Sequence, residues 1–113
     1  MITVEIIKNQ GRTLGFSAHG HAMYDEYGHD IVCSAVSALT QTALLGLIDV
    51  IKAKVEYSIS DDGFIECKLL NNPDETAEKA ELVLDVMKTG LCNIQENYNK
   101  YLSVTEREET ENV

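Results

Sequence analysis

At 113 residues the chain has the length of one domain, and 44% hydrophobic with 25% charged residues is enough to fill a core and cover it. A formal net charge of −10 argues against a direct nucleic-acid partner, because phosphate binding rests on Lys and Arg. The same charge serves plain solubility or steers a basic protein partner, and a single proline without Gly/Ser-rich runs argues against linkers and disorder.

In chain order, residues 2–7 place Ile2, Val4 and Ile6 on one face, the alternation of a strand. Asn9-Gln10-Gly11-Arg12 is a turn signal, and residues 13–19 alternate again with Leu14, Phe16 and Ala18 together, so a hairpin is expected. A polar stretch follows, then an apolar helix from Ile31 to about Lys52. Residues 54–60 and 64–70 form a second hairpin around Asp61-Asp62-Gly63, the first strand with Val55, Tyr57 and Ile59 on one face and the second with Ile65, Cys67 and Leu69 on one face.

Asn72-Pro73-Asp74 opens the second helix. Its stripe runs Ala77, Ala80, Leu84, Met87, Leu91, Ile94, Tyr98, Tyr101 at steps of three and four. Ser103-Val104-Thr105 has the character of a short extra strand, and residues 106–113 read as an acidic, frayed tail. The order ββαββα predicts an α+β two-layer sandwich: one mostly antiparallel sheet with both helices on one face, a single domain over 1–113.

Residues 31–51 approach membrane-spanning length, but Gln41 and Asp49 lie inside the segment, and an intramembrane carboxylate is expensive. A core or interface helix is the better reading, with no membrane partner, and a homodimer would hide its excess apolar surface. The three cysteines, Cys33, Cys67 and Cys92, form no CxxC pair, and the start of the chain has no signal-peptide pattern; free thiols then point to the cytoplasm.

The chemistry-bearing residues gather in 20–37, GHAMYDEYGHDIVCSAVS. Asp30 is a good N-cap for the helix that follows, which would put Cys33 in the first turn, where free N–H groups and the helix dipole favour a thiolate and an oxyanion. His19, His21 or His29 would supply the imidazole, and spacing does not choose among them. Two other readings stay beside this one. Cysteines on apolar faces are commonly small buried hydrophobes, which suits Cys67 and Cys92. Alternatively, His19, His21, His29 and Cys33 would make a zinc site, though the spacing matches no standard finger.

Gly20-His21-Ala22, followed by Tyr27-Gly28-His29-Asp30-Ile31-Val32-Cys33-Ser34-Ala35-Val36-Ser37, resembles the ribosomal-processing cysteine proteases (Prp) over essentially the whole chain. The resemblance implies a cytoplasmic, homodimeric Cys/His peptidase without metal or organic cofactor. Its partner would be the N-terminal extension of a large-subunit ribosomal protein, the twenty-seventh of the set, which it removes. Carried over, Cys33 is the nucleophile and His21 the base, and the segment Ala22 to His29 is a loop that moves to admit the peptide. His19 is not part of that pattern. Asp30 would cap the helix or orient His21, and Ser37, one turn after Cys33, would line the site or pack. A non-catalytic module that binds ribosomal protein or assembly intermediates is the alternative; selective alkylation of Cys33 separates the two.

Overall fold

The computed structural model of the chain describes residues 1–20, 27–61 and 63–109, and the course of the backbone alone for 27–30. Strands β1 (Ile2–Asn9) and β2 (Arg12–His19) form the first hairpin. Gln10 and Gly11 both have positive φ, 49° and 81°, as the tight two-residue turn favoured between twisted strands requires. Helix α1 (Tyr27–Leu45) continues into a single π-helical turn at Gly46–Val50, where the Ile51 N–H reaches the Gly46 carbonyl at 2.9 Å. Strands β3 (Val55–Ile59) and β4 (Ile65–Leu69), helix α2 (Asp74–Asn97) and strand β5 (Leu102–Glu108) complete the order.

The five strands lie side by side as β3-β4-β2-β1-β5. All pairings are antiparallel except that of β5 with β1, which is parallel. The α+β sandwich expected from the sequence is therefore present, and the suspected strand near Ser103 is longer than expected. It extends through Glu108, so residues 106–108 are paired rather than frayed; residues 110–113 of the expected tail lie outside the described residues. Helix α2 stops at Asn97. Tyr98 and Tyr101, the last members of its stripe, instead shape the turn into β5, where the Ile2 N–H donates to the Tyr101 carbonyl at 2.8 Å.

Register explains the layers. Val4 faces Ala18, Ile6 faces Phe16, Phe16 faces Cys67 and Ala18 faces Ile65, so these side chains share one face of the sheet. They form one core with Val32, Val36, Leu44 and Leu47 from the first helical segment and Ala80, Leu84, Met87 and Leu91 from α2. Both helices thus cover the same face. Residues Ile31–Val50 are long and apolar enough to cross a membrane by length and composition, but their inner stripe packs into this core. Gly90 lets the helices approach: a methyl there would meet a Leu39 methyl carbon at 3.3 Å.

The other face of the sheet is mostly polar. The exception is Ile7, fully buried in the row Lys68–Gly15–Ile7–Arg107, which the Lys68–Glu109 ion pair at 2.6 Å spans from outside. That partner raises the Lys68 pKa, chiefly through its hydrogen bond. The β1–β2 register slips between Ile7 and Lys8, leaving Leu14 unpaired, so Leu14 does not continue the Phe16–Ala18 row as its spacing suggested. Thr13 turns to the helices instead, and its hydroxyl donates to Asp85 at 2.8 Å.

Gly15 is the tightest point of the sheet. A methyl on it would stand 2.0 Å from the Cys67 carbonyl oxygen and 2.9 Å from the Lys68 Cα. Both are backbone atoms and cannot step aside without unpairing β4. Gly15→Ala should therefore cost about 3 kcal/mol or more, seen as a drop in the urea midpoint of unfolding.

Candidate functional site

Cys33 stands on α1, half-buried against the core. It lines a small cavity of about 150 Å³ at the end of the sheet where β2 finishes. The helix contributes Cys33, Val36, Ser37, Thr40 and Gln41 to that cavity. Ile2, Ala18 and His19 form its sheet side, and the second hairpin adds Ile59, Ser60, Asp61, Gly63 and Ile65. Thr40 is buried and its hydroxyl is satisfied by the Val36 carbonyl at 2.8 Å, so it is wall rather than reagent.

Each wall has a local cause. Helical spacing puts Cys33, Ser37 and Thr40 on neighbouring turns of one side of α1. The pairing of Ala18 with Ile65 carries the β3–β4 turn to the end of β2. That turn is closed by the Ser60 N–H donating to the Phe64 carbonyl at 2.9 Å and the Gly63 N–H to the Ser60 carbonyl at 3.1 Å. Gly20 then takes the chain out of β2 with φ +92°; a methyl there would lie 2.3 Å from the Met1 carbonyl oxygen. The glycine of the Gly-His pair is thus demanded by the backbone, which must pass close to the start of β1 before reaching His21.

The sequence-derived candidates fare differently. Cys33 is on the cavity. Ser37 is exposed and lines the same cavity, so it does not pack. His21 and the segment 22–26 of the expected loop lie outside the described residues. His19, which the family pattern omits, is exposed on the cavity rim and stacks on Phe64 with ring centroids 6.1 Å apart. Residues 27–29, expected in the loop, already belong to α1.

Asp30 is a correction. The helix begins at Tyr27, so Asp30 is inside it and is not its cap. Cys33 consequently sits in the second turn. The Cys33 amide has a helical carbonyl one turn back. The capping rule misled because it selects a favourable residue type but cannot count how far the polar segment before it will coil.

The remaining thiols occupy other settings. Cys67 is fully buried between Phe16 and Tyr57 in the ladder, and burial pushes its pKa up to about 12. Cys92 lines a shallow hollow of about 600 Å³ with Lys8, Asp85 and Lys88, and among the described residues no histidine lines it. A groove of about 810 Å³ at the opposite end of β2 holds paired charges, Arg12 with Glu81 and Lys68 with Glu109, and among the described residues no cysteine or histidine lines it. Among the described residues no three His, Cys, Asp or Glu side chains gather as metal ligands.

The hairpin wall of Ile59, Ser60, Asp61 and Gly63 is what sequence reading missed. Its residues were legible as strand and turn, but nothing local says that the turn lies beside Cys33.

A family model, Cysteine protease Prp, matches residues 1–103. The Ribosomal processing cysteine protease Prp of Staphylococcus aureus is 32% identical over 101 residues, covering 88% of this chain and 93% of that protein. Two crystal structures of an essential ribosomal processing protease Prp from S. aureus share the fold. One, in complex with a substrate peptide, has a TM-score of 0.85 at 29% identity and covers 95% of this chain and 100% of that one. The other, with a covalently linked product peptide, has a TM-score of 0.80 at 32% identity and the same coverage.

Two outcomes are expected from these environments. Iodoacetamide should label Cys33 in the folded protein, while Cys67 should react only on unfolding, as followed by mass spectrometry of peptides. Between pH 9 and about 12 the folded Cys67 thiol keeps a proton that the unfolded chain has lost. Stability should therefore fall as pH rises through that window, by up to about 1.4 kcal/mol per unit, and Cys67→Val should remove this slope in denaturation measured at pH 9 to 10.

Proposed function

This chain belongs to the cysteine protease Prp family, and on that footing we propose that it removes the N-terminal extension of a large-subunit ribosomal protein, the twenty-seventh of the set. The observation that carries the reading is Cys33, a half-buried thiol on the wall of a cavity at the end of β2, the strand that Gly20 follows. The relative that holds a covalently linked product peptide supports a covalent route.

In this reading His21 takes the proton of Cys33. The thiolate attacks the scissile carbonyl, an S–C bond forms, and the C–N bond breaks as protonated His21 hands its proton to the leaving amine. Water, deprotonated by His21, then hydrolyses the thioester and frees Cys33. No metal or organic cofactor takes part. Ser37 lines the path of the peptide.

The surroundings support the rest. A net charge of −10 favours a basic ribosomal partner over nucleic acid. Three free cysteines suit the cytoplasm. Leu45 and Val50 on the first helical segment, with Leu82 and Val86 on α2, are exposed apolar side chains of the helix layer, and a homodimer would cover them.

Mass spectrometry of the ribosomal protein with its extension tests the assignment. Wild type should release one N-terminal peptide. Cys33→Ala and His21→Ala should each slow cutting by about 10³-fold or more. Full cutting by His21→Ala would move the base to His19 or His29, and no cutting by wild type would reject the substrate.

A further inference from the structure

The groove of about 810 Å³ lies at the end of β2 away from Cys33. It exists because two strands part. The β2–β4 ladder ends at Gly15 and Lys68, yet β2 starts at Arg12 and β4 runs on to Leu69. The register slip that leaves Leu14 unpaired bends β2 at this point. On the other wall Asn72 holds β4 to β3: its side-chain amide donates to the Leu70 carbonyl at 2.8 Å and to the Lys54 carbonyl at 3.0 Å. Leu14, Leu69 and Leu70 line the gap, and charged side chains line it with them.

The cations of the groove are already engaged. Arg12 binds Glu81 at 3.1 Å, and Glu81 also accepts the Thr13 N–H at 3.4 Å. Lys68 lies directly across from Glu56 in the β3–β4 ladder, but its ammonium goes to Glu109 at 2.6 Å. Among the described residues Glu56 is therefore left without an ion pair, and so is Asp74. Asp74 opens α2, where Lys79 pairs with Glu75 instead at 3.4 Å. A ligand in this groove meets spare carboxylates beside leucines. Such a lining repels phosphate. It fits lysine or arginine, whose stems pack on apolar surface while their heads meet carboxylate oxygens.

We propose that this groove is a second attachment site for the protein partner, holding a lysine- or arginine-bearing segment of its body, apart from the extension that is cut. A protein that binds ribosomal RNA carries such residues for its phosphate contacts. Position favours the same occupant. The stretch of β2 from Thr13 at the groove to His19 at the cavity spans roughly 20 Å at strand rise. About six or seven extended residues bridge that span, so one protein fills both sites at once. The inference rests on the protease reading above and deepens it by naming where the remainder of the substrate protein is held.

The test uses the folded wild-type chain and, as probe, the ribosomal protein with its extension already removed, with affinity read by calorimetry at low salt. Wild type should bind the probe. Glu56→Lys with Asp74→Lys should weaken binding by about tenfold. Glu56→Gln with Asp74→Asn should weaken it by roughly threefold, and this milder pair decides the matter if the double reversal does not fold. Glu96→Lys makes the same change of charge on an exposed residue of the other hollow and should have little effect. Salt at about 0.5 M should weaken wild type strongly and the double reversal little. An unchanged urea midpoint and unchanged iodoacetamide labelling of Cys33 show that a variant is folded. No binding of the probe, or an equal loss with Glu96→Lys, would overturn the proposal. Binding of spermine in place of the probe would give the groove to a small cation, and a changed mass in solution of the double reversal would give it to a second copy; either overturns it. The two readings separate. Cutting by wild type without groove-dependent binding removes the attachment site alone. Groove-dependent binding with no cutting by wild type supports the attachment site and removes the protease reading.

Discussion

The arrangement of this protein hangs on the close approach of β2 and β4 at Gly15. No side chain fits between that residue and the Cys67 carbonyl, so the strands meet only because glycine is there. From this contact the register runs without slip to Ala18 and Ile65. The same register carries the β3–β4 turn to the end of β2, beside Cys33. A site built from the first hairpin, the first helix and the second hairpin is therefore assembled by a pairing whose tightest point lies at the far end of the strand.

Burial sorts the thiols into different chemistries. Cys67 lies inside the ladder under both helices, and the lack of water there keeps its proton on well into alkaline solution. Cys33 packs on the edge of the same core but opens on a cavity. Chain neighbours alone would not rank them, since both sit in apolar, regularly patterned segments. What differs is the number of layers above each.

The two edges of the sheet differ. At one edge β5 runs parallel to β1, and its end is tied down by the Glu109 N–H to the Lys8 carbonyl at 2.8 Å and by ion pairs to Lys68 and Lys88. At the other edge β3 is short and, among the described residues, has a strand on one side only, with aromatic and branched side chains toward the helices.

Much of this was legible in the residues. Alternation marked four strands, Gln10-Gly11 and Asp61-Asp62-Gly63 marked their turns, and the stripe through Ala80, Leu84, Met87 and Leu91 marked the second helix; these signals are local, because side-chain direction repeats with period two or 3.6. The Gly20-to-Ser37 motif named the family and singled out Cys33. Tertiary structure alone decided the strand order, the parallel fifth strand through Glu108, the unpaired Leu14, the helix start at Tyr27 that takes Asp30 out of its capping role, and the hairpin wall of the cavity. These depend on which distant surfaces fit, as at Gly15, where the absence of one methyl group admits a strand that begins 50 residues later in the chain.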